Sequence, residues 1–254
     1  MGGAMLSAWL DALPDAHFYV VDRHATLDDF GAPSHLTLVK KADERLRACG
    51  IIIVAVKPQV MKVCADEIIP LLNPDSIIIS VAAGLSFDTL TTQFGASRGL
   101  AKIMPNTPCS IRKGMSIAMK NGYVNDTTMP LIRTLCDALG DTLWIEDETL
   151  FDPMTTISGC GPAYLFYMIE MLAAAGVNAG VDKNDAERLA RQTIIGAASL
   201  AELSSTSAKT LRKNVTSKGG VTQAALDVIM DGRVQEVYND ALIKAVERAK
   251  NLNA

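Results

Sequence analysis

Histidine, aromatic residues and long apolar runs are scarce in this chain, and each scarcity excludes a class of function. The chain has 254 residues, of which only three are histidine and 5% are aromatic. The three histidines are His17, His24 and His35, so histidine acid–base chemistry is excluded from the rest of the chain. The apolar runs CGIIIVAV and SIIISVAAGL fall far short of the ~18 residues that span a bilayer. We therefore expect no membrane contact.

Basic clusters and cysteine motifs are also missing. The net charge is −4 and no run of lysine or arginine stands out, which argues against a nucleic-acid partner. The five cysteines are odd in number, scattered and without a CxxC pair; this is typical of reduced thiols and of a protein without structural zinc. No basic segment precedes an apolar stretch as in a signal peptide. The sequence thus predicts a cytoplasmic protein with no metal site.

What the chain does contain falls into two regions. In the first, short apolar runs alternate with helical patterns, which favours a parallel sheet built from strand–helix–strand units. After about Glu146 the strand signal ends and only helices are predicted. The predicted strands are 17–21, 35–39, 51–56, 76–81, 100–104 and 114–120, with helices at 42–49, 58–72 and 86–94. The later predicted helices are 162–175, 183–203, 207–214, 221–230 and 233–251.

We therefore predict an α/β domain over residues 1–146 and an all-α domain over residues 147–254. The helix that begins GPAYLFYMIEMLAAAG is apolar nearly all round. Such a helix is normally buried, and we expect it to be buried here. An interface between subunits is one environment that would bury it.

The opening MGGAMLSAWL resembles the end of a nucleotide-binding motif. In a Rossmann unit a strand runs into G-x-G-x-x-G, and the third glycine lies at the start of the helix. Gly2 fits that third glycine, and Asp22 follows the next predicted strand, where an acidic residue bonds a ribose hydroxyl. The spacing alone also fits an initiator methionine followed by a flexible glycine pair.

Four motifs in order decide between these alternatives. AVKP (55–58), MPNTP (104–108), SGCGPAYLF (158–166) and VTSKGGVTQAAL (215–226) together resemble the pyrroline-5-carboxylate reductase family over essentially the whole chain. The resemblance implies a Rossmann-like parallel-sheet domain followed by an all-α dimerisation domain. It also implies that a first strand and two glycines would precede Met1. Because that strand would be central in the sheet, we expect the chain as written to be unstable or to bind cofactor poorly.

The resemblance implies an NAD(P)H-dependent enzyme that reduces 1-pyrroline-5-carboxylate to L-proline, the last step of proline biosynthesis. Asp22 would repel a 2′-phosphate and favour NADH, whereas Arg23 and His24 beside it would pair with that phosphate and favour NADPH. We expect NADPH, with NADH as the alternative. Position and resemblance together assign the cofactor to Gly2, Asp22, Arg23, Ala55, Val56, Lys57, Val81, Ala82, Ala83, Asn106 and Asn214.

The substrate side is predicted around the SKGGVT loop. Its glycines precede a predicted helix, and free N–H groups at a helix start attract an anion such as the substrate carboxylate. An ordinary glycine-rich turn is the plain alternative. By resemblance, the substrate is bound by Glu148, Ser158, Ser217, Gly219, Gly220, Val221 and Thr222, and Thr222 is the catalytic residue, adding a hydroxyl. Ser158 is further predicted to cap the long apolar helix.

The chain departs from the family pattern at two positions of this loop. Lys218 stands where the family usually has proline, and Val221 stands where a small or hydroxylated residue is usual. Lysine loses the rigidity of proline but brings a positive charge toward the carboxylate.

Two other functions stay open at this point. One is a β-hydroxyacid dehydrogenase, although the catalytic lysine pattern of that class is not found; the other is an inactive remnant. The resemblance further implies a homodimer, with a higher assembly of dimers as an extension.

Overall fold

The computed structural model describes residues 1–252, which form two compact units. The first unit holds residues 1–160 together with the chain from Ala245 onward, and the second is Gly161–Lys244. These units divide after Cys160, whereas the sequence places a domain boundary after residue 146. That boundary stays a prediction.

Seven strands and ten α-helices are present in residues 1–252. The strands are β1 (Phe18–Val21), β2 (Leu36–Val39), β3 (Ile51–Val54), β4 (Ile77–Ser80), β5 (Leu100–Met104), β6 (Gly114–Lys120) and β7 (Gly140–Trp144). The first unit contains the helices α1 (Gly2–Ala12), α2 (Met61–Ile68), α3 (Phe87–Phe94), α4 (Met129–Asp137) and α5 (Phe151–Ser158). The remaining helices are α6 (Gly161–Asn178), α7 (Lys183–Leu203), α8 (Ala208–Asn214), α9 (Val221–Ile229) and α10 (Arg233–Leu252).

The predicted α/β class is confirmed, with two differences in the sheet. Strands β3 to β7 form one five-stranded sheet in chain order, parallel except that β6 runs antiparallel to β5. Strands β1 and β2 form a separate parallel pair. Strand β7 begins beside β6 at a pair of glycines, Gly114 and Gly140. A Cβ on Gly140 would lie 2.2 Å from the Gly114 carbonyl oxygen, so a side chain there would prevent this close approach.

Strands β1 and β3 each keep one edge without a strand partner in the described chain. The N–H groups of Phe18 and Asp22 donate to β2, so the ladder groups of the alternate residues Tyr19 and Val21 face the other edge. On β3, the carbonyl of Val54 accepts from β4, which leaves Ile53 facing its open edge. The ladder groups along these two edges have no strand partner within residues 1–252. The effect on stability and cofactor binding stays a prediction.

The core of the first unit lies on both faces of the five-stranded sheet. On one face α1 and α4 pack against alternate strand residues such as Ile79 and Ile103. On the other, α2 and α3 pack against Ile52 and Ile78. Alternation of this kind explains why the apolar strand runs are buried on both sides.

The second unit has little core of its own. Its buried apolar residues are Ala173, Ala186 and Ala190, where α6 meets α7. The two helices approach closely at Gly176. A Cβ on this glycine would lie 3.3 Å from the Cβ of Ala186. The expected burial of α6 is wrong for the single chain, since Leu165, Phe166 and Tyr167 are exposed.

One stretch, Glu148–Asn178, is long and apolar enough to cross a membrane by length and composition, and only 6% of its most apolar window is buried. From the sequence, the apolar helix in this stretch is expected to be buried, and only the runs CGIIIVAV and SIIISVAAGL are compared with the length that spans a bilayer. A single stretch of this kind is weak evidence for a membrane span. The absence of membrane contact stays a prediction.

Several local predictions are corrected. Strand β7 and helix α4 were missed, and 42–49 forms a short 3-10 helix (Glu44–Ala48) instead of an α-helix. Within 58–72 only α2 is α-helical, flanked by 3-10 turns. Ser158 ends α5 and does not cap the apolar helix, because α6 begins at Gly161.

We predict that Trp9→Phe destabilises the first unit by about 1–3 kcal/mol, the cost of an unpaired buried carbonyl. The Trp9 indole N–H donates to the Leu135 carbonyl oxygen at 2.8 Å in a buried contact. Near the end of α4 that carbonyl has lost its usual helical partner, since the N–H of Leu139 donates to Cys136. Urea unfolding measures the change.

Trp144→Phe is the matched control, because Trp144 is only half-buried. Equal losses of unfolding free energy in both variants would show that the indole–carbonyl bond contributes nothing specific.

Candidate functional site

Small residues follow the ends of β3 and β4. Ala55, Val56 and Lys57 come directly after β3, with Ala55 and Lys57 exposed; Ala82 and Ala83 follow β4. Because β3 and β4 are parallel neighbours, these residues share one edge of the sheet. The carboxyl edge of an open α/β sheet is where ligands bind. The short side chains leave room for a ring or sugar to approach the backbone.

The start of α1 lies at this same edge. A Cβ on Gly2 would lie 3.1 Å from the Cβ of Ala55, a separation tighter than side chains normally adopt. The helix begins without a side-chain cap on its N-terminal groups, so their N–H donors are available to a ligand. The structure thus brings Gly2 and Ala55 together, as expected for a glycine that lets a helix start approach a bound phosphate.

Asp22 and Arg23 follow β1 and differ in how free their side chains are. Asp22 Oδ1 accepts from the backbone N–H groups of His24 (2.7 Å) and Ala25 (2.9 Å). The bond from Ala25, then that from His24, lowers the pKa of Asp22 below its usual range. Arg23 is 78% exposed and meets Glu67 only at 3.9 Å. A carboxylate held by its own turn therefore lies beside an exposed guanidinium that makes only one long ion pair.

Asn106 is buried at the end of β5, and its side chain is used within the protein. Its Nδ2 donates to the Ser158 carbonyl oxygen at 2.9 Å, and its Oδ1 accepts from the N–H of Met115 at 3.0 Å. By position and resemblance, Asn106 is predicted to bind the cofactor. The structure instead joins Asn106 to Ser158, a cofactor candidate to a substrate candidate.

Glu148 lies in a contact that sequence reasoning missed. Its Oε1 accepts from Lys102 Nζ at 2.7 Å and from the N–H of Phe87 at 2.9 Å. Lys102 is the lone charge in the strand LAKIM, and that interruption of an apolar run was the available signal. Glu148 thus belongs to the first unit, as does Ser158, whereas the other predicted substrate residues lie in the second.

The predicted substrate loop lies in the second unit. Gly219 has φ +73°, a conformation that side chains rarely adopt. A Cβ on Gly220 would lie 2.4 Å from Ser217 Oγ, and the Gly220 N–H donates to the Ser217 carbonyl. The turn itself therefore favours glycine at 219 through its backbone conformation and crowds a side chain at 220, which also agrees with the plain alternative of a glycine-rich turn.

Helix α9 follows this turn with its first N–H groups free. No side chain caps it, and both Val221 and Thr222 are exposed in its first turn. Asn214 ends α8 just before the loop. The local arrangement can present backbone donors, a positive helix end and a hydroxyl to an anionic ligand.

Comparison with known proteins identifies the family. A family model described as pyrroline-5-carboxylate reductase dimerisation matches residues 148–252. The chain is 34% identical to the pyrroline-5-carboxylate reductase of Pisum sativum over 91% of this chain and 82% of that protein. The chain belongs to the pyrroline-5-carboxylate reductase family. The predicted resemblance is confirmed.

Solved structures of the family share the fold. The pyrroline-5-carboxylate reductase of Coxiella burnetii superposes with a TM-score of 0.90 at 30% identity, covering 100% of this chain and 94% of that one. The Plasmodium falciparum enzyme, solved with NADP bound, gives 0.84 at 29% identity, with coverages of 100% and 95%. The roles of individual residues within this family fold stay predictions.

The predicted site residues fall into two groups. The first unit brings together candidates at the ends of β3, β4 and β5 and at the start of α1, with Glu148 and Ser158 bonded to neighbouring strands. The second unit contains the other candidates, which lie on one short segment of the chain: Asn214, Ser217, Gly219, Gly220, Val221 and Thr222. Among the described residues, no three His, Cys, Asp or Glu side chains come together as a metal site.

We predict that Arg23→Ala weakens NADPH binding about 10-fold, the value of a charge-assisted phosphate contact near the surface, and leaves NADH binding nearly unchanged. The reason is that Arg23 has an almost unopposed charge beside the ribose-binding candidate Asp22. Fluorescence titration of each reduced coenzyme measures both dissociation constants.

Arg188→Ala, which removes an exposed arginine from α7, is the control. NADPH affinity retained in Arg23→Ala would remove Arg23 from coenzyme selection.

Proposed function

We propose that this chain reduces 1-pyrroline-5-carboxylate to L-proline with NADPH as hydride donor, NADH being the alternative. The proposal rests on family membership and on one observation above all: the uncapped start of α9 behind a turn that only glycine fits. A site for a cyclic imino acid needs an anion-binding element of this kind, because the substrate carries a carboxylate.

The first unit fits a dinucleotide. The close approach of Gly2 to Ala55 crowds any side chain at position 2, and the N–H donors at the start of α1 suit a diphosphate. Ala55, Val56 and Lys57 after β3, with Val81, Ala82 and Ala83 after β4, would line the cofactor. When bound, the reduced nicotinamide supplies a hydride.

The protein's own task is binding and orientation. The imine carbon gains two electrons and the imine nitrogen ends with one proton, taken before the reaction or from water. The chain therefore needs no strong internal acid. Ser217, Gly219, Gly220 and Val221 would hold the carboxylate through backbone and hydroxyl donors, and Thr222 would add a hydroxyl beside the ring. Orientation of this kind is a large part of enzymatic rate enhancement.

We further propose that the chain works as a homodimer in the cytoplasm. The match to the dimerisation family model over residues 148–252 supports a dimer, and so do the exposed apolar residues of α6. A higher assembly of dimers extends this proposal. The five cysteines are free thiols, which agrees with a reducing compartment.

We predict that the chain oxidises NADPH only when 1-pyrroline-5-carboxylate is present, and that Thr222→Val lowers kcat/KM about 10-fold or more. Valine keeps the shape of threonine but removes its hydroxyl. Loss of reduced-nicotinamide absorbance measures the rate.

Thr222→Ser should recover most of the rate, and Thr193→Val on the exposed face of α7 should be unaffected. Turnover of a hydroxyacid without turnover of the imine would instead favour a β-hydroxyacid dehydrogenase. Folded protein without either activity would indicate an inactive remnant.

We predict that Phe166→Glu converts the dimer into a monomer. Phe166 is 59% exposed on α6, and a buried unpaired charge in an apolar interface costs several kcal/mol. Sedimentation velocity without detergent measures the mass.

Leu131→Glu is the control, because Leu131 is similarly exposed, at 52%, on α4 of the first unit. A wild-type chain that sediments as a monomer would contradict the dimer, and a chain that stays with membranes until detergent is added would favour the membrane alternative for α6.

A further inference from the structure

Lys102 is a buried charge that the proposed chemistry does not use. It lies in the middle of β5, between Ala101 and Ile103, and its side chain is only 7% exposed. Buried lysines are rare unless they are paired. Burial of this lysine is therefore unfavourable in free energy unless other interactions in the structure offset it.

The surroundings of Lys102 are built for a cation. Its Nζ lies 4.2 Å from the centre of the Phe151 ring and 5.6 Å from that of Phe87, and aromatic faces attract cations. Glu148 provides the balancing charge at 2.7 Å. Phe151 opens α5 and Phe87 opens α3, so the amine is held between the starts of two helices.

Glu148 extends this contact to a third segment. The same oxygen that binds Lys102 accepts from the N–H of Phe87, directly after the loop that carries Val81, Ala82 and Ala83. One carboxylate therefore connects β5, the loop that leaves β4 and the segment that leads into α5. The loop that leaves β4 carries predicted cofactor contacts, and Asn106, another of them, follows β5 by two residues.

A second link fixes the other end of α5. The Ser158 carbonyl accepts from Asn106, which itself follows β5 by two residues. The Glu148 and Ser158 contacts hold α5 along the end of β5, one before its first residue and one at its last. Helix α5, which ends at the first residue of SGCGPAY, is thus hydrogen-bonded to the chain at the end of β5, where the motif MPNTP lies.

We propose that Lys102 is a positioning residue for the reduction. Through Glu148 it holds the loop after β4, the end of β5 and helix α5 in one fixed arrangement, so that the residues expected around the nicotinamide keep their relative positions. This inference rests on the proposed function. Lys102 does not itself touch substrate or cofactor in this proposal.

A single-turnover experiment separates positioning from simple stability. Wild type, K102M, K102R and E148Q are each mixed with NADPH and a saturating amount of 1-pyrroline-5-carboxylate, with enzyme in excess of coenzyme. Circular dichroism of the same samples measures how much of each variant is folded, while the first-order rate constant reports the geometry of the bound pair. Methionine keeps the length of lysine without its charge.

We expect the rate constant of K102M to fall about 10-fold or more, as is typical when reacting groups are displaced by a fraction of an ångström to 1 Å. K102R, which keeps the charge, should recover most of it. E148Q keeps the acceptor for the Phe87 N–H but loses the charge pair, so its rate constant should also fall. It serves as the second variant if K102M does not fold.

K62M is the matched control, because Lys62 makes an exposed ion pair with Asp66 at 2.9 Å on α2, and it should react like wild type. A wild-type rate constant in both K102M and E148Q, with only the folded fraction reduced, would overturn the positioning role and reveal a purely structural one. No imine-dependent oxidation by wild type would instead overturn the proposed function, and this inference with it.

Discussion

A charged amine on a central strand has to be balanced where it lies, and this requirement organises the carboxyl edge of the sheet. Desolvation of Lys102 is unfavourable unless an anion and polarisable groups replace water. Glu148 and the rings of Phe87 and Phe151 meet that need. Because these three groups come from different segments, satisfying one charge also fixes where α3 and α5 begin. An apolar residue in place of Lys102 would fill the space without setting those positions.

Both units use the same device to present backbone donors. At Gly2 and at Gly220 a side chain would collide with a neighbour, and each glycine lies at the start of a helix that has no side-chain cap. A conventional cap such as serine or aspartate would occupy the first N–H groups. Leaving them free stabilises these helices less but keeps a partly positive end open to anions. In the proposed function those anions are a diphosphate in one unit and a carboxylate in the other.

The sequence predicted the elements that local pattern determines. Strands β3 to β6 follow from apolar runs, and α7 follows from the helical pattern of 183–203; its cap by Asp182 is a finding of the structure. Strand β7, GDTLW, was missed because its alternate residues are polar, and α4 was missed because its proline and short apolar stripe give a weak helical signal. The ends of strands could be assigned to the site because parallel strands share an edge.

The side-chain contacts of the site could not be predicted from the sequence, for a different reason. The hydrogen bond of Asn106 to Ser158 and the ion pair of Lys102 with Glu148 join residues far apart in the chain. Nothing in one sequence states which distant groups a polar side chain meets. The lysine within LAKIM signalled only that some partner had to exist.

The second unit shows why a substrate loop and an interface belong together in this proposal. Three buried alanines cannot stabilise a set of helices that leaves Leu165, Phe166 and Tyr167 in water, since each fully buried large apolar side chain contributes about 1.5–3 kcal/mol. The missing stabilisation has to come from another surface. A second copy of the chain provides one that is apolar in the same places, and a two-fold interface is complementary to itself. The loop between α8 and α9 is then held in a unit whose order depends on pairing, so binding of the imino acid and dimerisation favour the same folded state.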